Sequence, residues 1–374
     1  MEPFQSWVEN RHAYAQRWKE KTGGKVMGLF CTYVPEELLI AADILPVRIL
    51  GNPEPGSGAP PPVLGPDCPF CRDCLAQGLQ GRYDYLDGIM VSRSCPQSGR
   101  AFSGWQAAVP VSYSYYLPLP DDGQSPGADR LLKSQLVEFQ KSLEDWTGKK
   151  ISDADLDRGI AVMNENRRLL QRVFETRKKD NPPLTGLEAL YLSLSGQLVD
   201  KGEHSRGLRE LLEKELPTRD LKGHDRIRLL LLSSEDEDAE FIKTVETLEA
   251  QFVIDDNCTG TRYFWSEVLP ADDRLAAIAA RYLERPPCPA KDWPLAKRMD
   301  RLRLLAQDWR VQGALIIRQR SCGFPEPETQ ALRQALDGIG VPSLFLELDG
   351  ALPAGQFKIR MAAFLETLRQ EDLF

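Results

Sequence analysis

The 374-residue chain has only three histidines, His12, His204 and His224, and none follows a segment that reads as a strand. They are expected to be solvated or core residues rather than metal ligands. No uninterrupted apolar run approaches the roughly 18 residues that a membrane helix requires. The N-terminal segment MEPFQSWVENRHAYAQRWKEK lacks the apolar stretch of a signal peptide, so a cytoplasmic location is expected. Positive charge is not in excess: 47 Lys and Arg face 55 Asp and Glu, a net charge of −8. That balance argues against nucleic acid as the main partner, while leaving room for a local basic patch around an anionic ligand. Neither a GxxxxGK[ST] loop nor a clear GxGxxG turn after a strand is present, so no nucleotide motif is visible.

What the chain does have is cysteine, eight in all, and 42% hydrophobic residues, enough for a full core. In a cytoplasmic protein such cysteines point to metal ligands, reactive thiols or core residues before disulfides.

Apolar runs and helical periodicities alternate along most of the sequence. An amphipathic helix is expected to about Trp18, then a strand over Lys25–Phe30. A helix should start near Pro35, followed by a strand over Ile44–Leu50. The Pro- and Gly-rich stretch GNPEPGSGAPPPVLGPDCP breaks any element. Beyond it come a helix over Arg72–Leu79, a strand over Leu86–Ser92 and an extended segment in VPVSYSYYLPLP. Pro120–Arg130 reads as a linker. Residues 129–222 show helical spacing and no clear strand. A second alternating series follows, with strands at Ile227–Ser233, Gln251–Asp255, Gly313–Gln319 and Pro342–Leu348. Helices are expected between them at 238–250, 273–283, 295–308 and 326–336, and at 356–369. The expected fold is α/β: two doubly wound parallel-sheet domains of Rossmann or flavodoxin type with a helical segment between. The boundaries are 1–128, 129–224 and 225–374. No internal sequence repeat stands out.

Ligands of open parallel sheets bind beyond the C-terminal ends of the strands. Cys31, Cys95, Cys258 and Cys322 all follow strands, whereas Cys288 lies in the loop PPCPA. Cys68, Cys71 and Cys74 share the segment DCPFCRDC, a spacing used by both iron–sulfur clusters and zinc. The fourth cysteine of a ferredoxin motif is missing at the required distance. Cys71 and Cys74 can also be read as bystanders on the first turn of a helix.

Four stretches carry a family resemblance. They are TYVPEELLIAADILPVRILG, CPFCRDCLAQGLQGRYDYLDGIMVSRSC, ALIIRQRSCGFPEPETQALRQALDGIGVPSLFLELDG and GQFKIRMAAFLETL. In order and spacing they resemble the D-subunit family of benzoyl-CoA reductases and 2-hydroxyacyl-CoA dehydratases. The resemblance covers nearly the whole chain and is weakest in the middle. It implies a 4Fe–4S cluster held by Cys68, Cys95 and Cys322, with Cys71 and Cys74 as alternates. Cys68 is preferred because Arg72 stands four residues after it. Pro96, where the family commonly has Asp, is a departure beside Cys95.

The resemblance further implies one-electron reduction of an acyl-CoA at an iron with an open coordination site. It implies a homologous second subunit, giving a heterodimeric core, and a separate ATP-hydrolysing iron–sulfur activator. Glu37 matches the acid of the family's P-x-E element and is expected either to handle protons or to cap its helix. Tyr33 and Ser98 are candidates for bonding the thioester oxygen. Arg262 is placed on a CoA phosphate or in an ion pair with Asp255 or Asp256, the ion pair being favoured. The short chain and the RAFSGW stretch after Cys95 favour the small subunit of a benzoyl-CoA reductase over a 2-hydroxyacyl-CoA dehydratase subunit. Two other readings stay open. One is an electron-transfer subunit with a fully ligated cluster. The other is an α/β binding protein stabilised by zinc on Cys68, Cys71, Cys74 and Cys95.

Overall fold

The computed structural model describes residues 1–51, 68–221, 226–235, 238–292, 295–319, 322, 326–348 and 354–371. Most of the Pro- and Gly-rich stretch, and His224, lie outside them. The first half contains α1 (Glu2–Glu9), α2 (Arg11–Thr22), β1 (Val26–Leu29), α3 (Glu36–Ala41), β2 (Leu45–Arg48), α4 (Pro69–Leu79), β3 (Gly88–Ser92), α5 (Pro96–Ala108) and β4 (Tyr113–Leu117). Four helices follow: α6 (Ala128–Thr147), α7 (Asp153–Glu175), α8 (Gly186–Ser195) and α9 (Lys201–Glu210). The second half contains β5 (Ile227–Leu232), α10 (Ala239–Glu246), β6 (Ala250–Asp256), α11 (Thr261–Phe264), α12 (Arg274–Glu284), α13 (Ala296–Asp308), β7 (Gly313–Gln319), α14 (Glu326–Asp337), β8 (Ser343–Leu348) and α15 (Ala354–Glu371).

Four elements differ from the sequence reading. The N-terminal helix is two helices, because Asn10 leaves helical geometry (φ −107°, ψ 27°) between them. Helix α4 starts at Pro69 rather than Arg72, with Cys68 as its N-cap. Helices α5 and α11 are additional. Helix α5 again has a cysteine at the N-cap, Cys95, and a proline at its first position. Proline suits that position because its φ is already helical and its missing N–H would have had no partner.

Both sheets are parallel throughout and have the same strand order, β2-β1-β3-β4 and β6-β5-β7-β8. Strands β1 and β2 pair with Val26 opposite Leu45, and β5 and β7 pair with Leu229 opposite Gly313. Helices cover both faces, so β1 and β3 are buried end to end and β5 at every position but Arg228. In this topology the chain reverses its direction of growth between β1 and β3, and again between β5 and β7. The crevice at each reversal is where such sheets hold ligands.

The helical run ties the halves together. Helix α7 packs on α3 so closely that a Cβ at Gly159 would collide with the Glu37 carbonyl oxygen. From the same helix, Arg167 meets the Glu37 carboxylate at 2.7 Å, with both side chains buried. Asn164 bonds both the N–H (2.9 Å) and the C=O (2.7 Å) of Val268, ahead of α12. Helix α12 packs in turn on α6, and Tyr282 on it donates to Glu37 at 3.1 Å. No described helix is long and apolar enough to cross a membrane.

Candidate functional site

Cys68 and Cys95 are built alike. Each stands at the N-cap of a helix, and each is followed by proline. The backbone N–H groups of Phe70 and Cys71 pull the Cys68 thiol down, and those of Gln97 and Ser98 act likewise on Cys95. Oriented N–H groups and the positive end of the helix dipole favour a thiolate. At Cys68 the Cys71 thiol is the strongest influence and, against burial, brings the pKa down to about 7. The Cys71 thiol is pushed well up, first by Cys68 and then by burial. Burial dominates at Cys95 and raises it to about 12, and the neighbouring Cys322 and Cys68 add to the rise. Cys95 therefore shares one electrostatic neighbourhood with a thiol of its own half and a thiol of the other.

At the two sheet reversals a cysteine faces a serine. Cys31, after β1, has its Sγ 3.0 Å from Ser94 Oγ, after β3. Ser234, after β5, has its Oγ 3.0 Å from Cys322 Sγ, after β7. Between the halves, Arg48 at the end of β2 meets Glu235 at 2.6 Å. Cys31, Cys74 and Cys258 all act on the Arg48 guanidinium, and Glu235 acts on Cys68. Burial pushes the Glu235 carboxyl up, against the pull of Arg48 and Arg262. The Cys258 thiol is pushed well up, first by the Cys288 thiol and then by burial.

The remaining candidates are occupied elsewhere. Glu37 is fully buried; burial would raise its carboxyl, but Arg167 and Arg281 outweigh this and hold it below its ordinary value. The Ser98 hydroxyl donates to the Cys95 carbonyl at 2.8 Å, so it braces the turn that presents Cys95. Tyr33 donates to Asp292 at 2.5 Å and lies under the Arg285 guanidinium, 4.1 Å from the ring centre. Arg262 is buried. It donates to the Ser233 and Ser234 carbonyls and faces Asp256, not Asp255, at 3.8 Å. Cys74 is packed in the core with its thiol 3.7 Å from the Ile49 carbonyl. His12 is half-buried against Tyr85, and His204 is fully buried between Asn166 and Ser195.

Among the described residues no three His, Cys, Asp or Glu side chains are gathered closely enough to grip a single metal ion. This includes the four cysteines of the zinc reading. A cleft of about 580 Å³ opens beside Trp265, Arg285, Asp292, Arg301 and Trp309, and no cysteine lines it. Cys288 adjoins its wall through an N–H bond to Asp292 at 2.8 Å, and Arg285 and Asp292 are also the residues packed on Tyr33.

Sequence reasoning missed Ser94, Ser234, Arg48 and Glu235. The strand-end rule that singled out the cysteines reaches Ser94 and Ser234 equally well. Nothing in the sequence pairs Arg48 with Glu235.

A family model described as "2-hydroxyglutaryl-CoA dehydratase, D-component" matches residues 31–368. The chain is 24% identical to the (R)-phenyllactyl-CoA dehydratase beta subunit of Clostridium sporogenes, over 98% of this chain and 97% of that one. It is 27% identical to one of the benzoyl-CoA reductase subunits of Thauera aromatica, over 72% of this chain and 71% of that one. With the (R)-2-hydroxyglutaryl-CoA dehydratase beta subunit of Acidaminococcus fermentans it shares 25% over 98% of each.

Proposed function

The chain belongs to the 2-hydroxyglutaryl-CoA dehydratase D-component family, and on that premise we propose that it is the iron–sulfur subunit of a low-potential acyl-CoA enzyme. Membership makes it an enzyme subunit of the oxidoreductase or lyase type. The observation that carries the finer reading is the electrostatic contact of Cys95 with both Cys68 and Cys322. On this reading two thiols of the first half and one of the second serve a single site.

An all-thiol donor set is what a 4Fe–4S cluster takes. A cluster also holds its cysteines apart by its own width, so its ligands need not meet as the ligands of a single ion do. When bound through three thiolates, such a cluster supplies electrons and leaves one iron free for a substrate oxygen. The protein's part is to present the thiolates. The first turns of α4 and α5 hold Cys68 and Cys95, Ser98 braces the second of these turns, and Ser234 orients Cys322. Glu37 keeps α3 docked on α7, and Tyr33 fixes the loop after β1 against Asp292. Arg262 holds the loop after β5, on which Ser234 stands.

The proposed reaction is reduction of an aromatic acyl-CoA of the benzoyl-CoA type, in complex with a homologous second subunit. Electrons come from a separate ATP-hydrolysing iron–sulfur activator. Dehydration of a 2-hydroxyacyl-CoA is the second reading, favoured by the near-complete coverage of the dehydratase subunits. Iron, sulfide and zinc content, with visible and EPR spectra of protein purified without oxygen, test the proposal. About four irons with matching sulfide, lost in Cys68→Ser, Cys95→Ser and Cys322→Ser, are expected. A spectrum perturbed by benzoyl-CoA supports ring reduction, and one perturbed only by a 2-hydroxyacyl-CoA supports dehydration. Stoichiometric zinc without sulfide overturns both.

A further inference from the structure

The cleft beside Trp265 and Trp309 encloses about 580 Å³, within the range of small-molecule sites. Arg285 forms part of its wall and is only 4% exposed. Its guanidinium donates to the Thr32 carbonyl at 2.5 Å, the Thr32 hydroxyl at 3.1 Å and the Arg262 carbonyl at 2.8 Å. None of these oxygens carries a charge, and no carboxylate of the described residues pairs with Arg285. Its Nε is buried without a hydrogen-bond partner among the described residues, and so is the Oγ of Ser266, which also lines the cleft. A buried guanidinium is ordinarily paired, because an uncompensated charge away from water is strongly unfavourable. A water molecule would satisfy Nε but would bring no charge.

The other charges of the cleft are balanced or solvated. Lys178 meets Glu175 at 3.0 Å and Asp308 at 3.1 Å, and Arg301 meets Asp256 at 3.2 Å. Lys297 is exposed and donates to Gln124 at 2.7 Å. Asp292 is taken up by the Tyr33 hydroxyl, the Cys288 N–H and the Lys291 ammonium. In the lining as a whole six carboxylates face four cations, so a ligand carrying several negative charges is repelled. A single negative charge, at Arg285, is what the site lacks. The rest of the wall suits a flat apolar group. Trp265 is half-buried and stands edge-to-face with Trp309, 5.5 Å between ring centres, and Leu283, Pro286 and Leu305 lie beside them.

We propose that this cleft binds a monocarboxylate with a flat apolar body of one or two rings. The carboxylate accepts from Arg285 Nε, with the Ser266 hydroxyl as second donor, and the rings lie against Trp265. The charge-assisted bond supplies the preference for an acid, and ring packing on the indole supplies the preference for an aromatic body. The terminal nitrogens of Arg285 keep their bonds to Thr32 and Arg262, so the loop after β1 stays as it is. A nucleotide or a CoA tail, with several phosphates, is the wrong ligand for this lining. The site needs no iron, and the inference is independent of the cluster reading.

The test is calorimetric titration of the full-length protein, purified without oxygen, at low ionic strength. The probes are 2-naphthoate, its uncharged amide 2-naphthamide, acetate, and CoA alone. The acid is expected to bind about tenfold or more tightly than the amide, and acetate to bind more weakly than the acid. Trp265→Leu should weaken both naphthyl compounds, and Ser266→Ala should weaken the acid severalfold. Arg285→Gln should bring acid and amide to parity. Because Arg285 also holds Thr32, that variant is checked by circular dichroism and melting. A rim variant carries the test if it does not fold: Leu304 lines the cleft and is 60% exposed. Leu304→Asp should weaken the acid and leave the amide unchanged. Equal affinity of acid and amide for the wild-type protein overturns the proposal, as does acid binding that neither Arg285→Gln nor Leu304→Asp alters. CoA that displaces 2-naphthoate and binds more tightly than it would make the cleft a polyanion site and overturn the proposal as well. None of these outcomes bears on the iron content, which is measured separately.

Discussion

Ser234 Oγ stands 3.0 Å from Cys322 Sγ at the mouth of the second sheet, and Cys31 Sγ stands 3.0 Å from Ser94 Oγ at the mouth of the first. The two pairs occupy equivalent places in two sheets of the same strand order, with cysteine and serine exchanged. If Cys322 ligates iron and Cys31 does not, the two serines separate by experiment. Each serine-to-alanine change should cost about 1 kcal/mol, the worth of one hydrogen bond. Only Ser234→Ala should alter the visible and EPR spectrum of the iron-loaded protein, whereas Ser94→Ala should leave it unchanged. Urea unfolding and the two spectra check both halves of this expectation.

His204 makes stability depend on acid. It is fully buried, and burial followed by the Lys201 charge lowers its pKa from 6.5 to about 3. Between these two values the unfolded chain binds a proton that the folded chain does not. Its contribution is therefore fully present above about pH 6.5 and falls as the pH drops toward 3. From pH 6.5 to 5 the loss should be about 2 kcal/mol. In His204→Gln that slope should disappear even if the variant is less stable throughout, and unfolding curves at several pH values will read it.

The Glu37–Arg167 pair should behave as a buried structural pair rather than a proton relay. Breaking such a pair from one side leaves an uncompensated charge and costs about 3–5 kcal/mol. Arg167→Met and Glu37→Gln should each lower the unfolding free energy by an amount in or near that range. The double change should be less damaging than the sum of the two. Additive losses in a double-mutant cycle would mean that the two side chains act separately.

Cys74 tests which thiols of DCPFCRDC matter. It is 1% exposed, inside the core of the first half. Cys74→Ala should cost about 1 kcal/mol from lost packing and leave the iron content intact. Cys68→Ala should abolish iron binding with little change in the unfolding midpoint of the metal-free protein.

The strands were legible because both faces of a parallel sheet are covered, which turns each strand into an apolar run between breakers. GALIIRQ is strand β7 residue for residue. Helix α5 was not legible. PQSGRAFSGWQAA has two glycines and two serines, and its helicity depends on the Cys95 cap, Pro96 and the burial of Phe102 and Trp105. Trp105 packs over Gly78 of α4, where an added Cβ would lie 2.6 Å from the indole ring, a contact between helices that no local pattern reveals. Strand-end placement made Cys95 and Cys322 stand out, and the segment DDNCTGTRYF set Arg262 near its acidic partner Asp256. Arg48–Glu235, the cysteine–serine pairs and the likeness of the two sheets depend on tertiary geometry. The likeness is carried by strand order, and strand order leaves no repeated residues behind.

The electrostatic influence of Cys322 on Cys95 has a consequence for biosynthesis. Cys322 follows β7, which pairs with β5 and β8, so it belongs to the last-made part of the second sheet. A nascent chain on the ribosome has Cys68 and Cys95 in place long before it has Cys322. Anything gripped by all three thiols therefore waits for the end of the chain, and a chain cut short before β7 offers only two of the three.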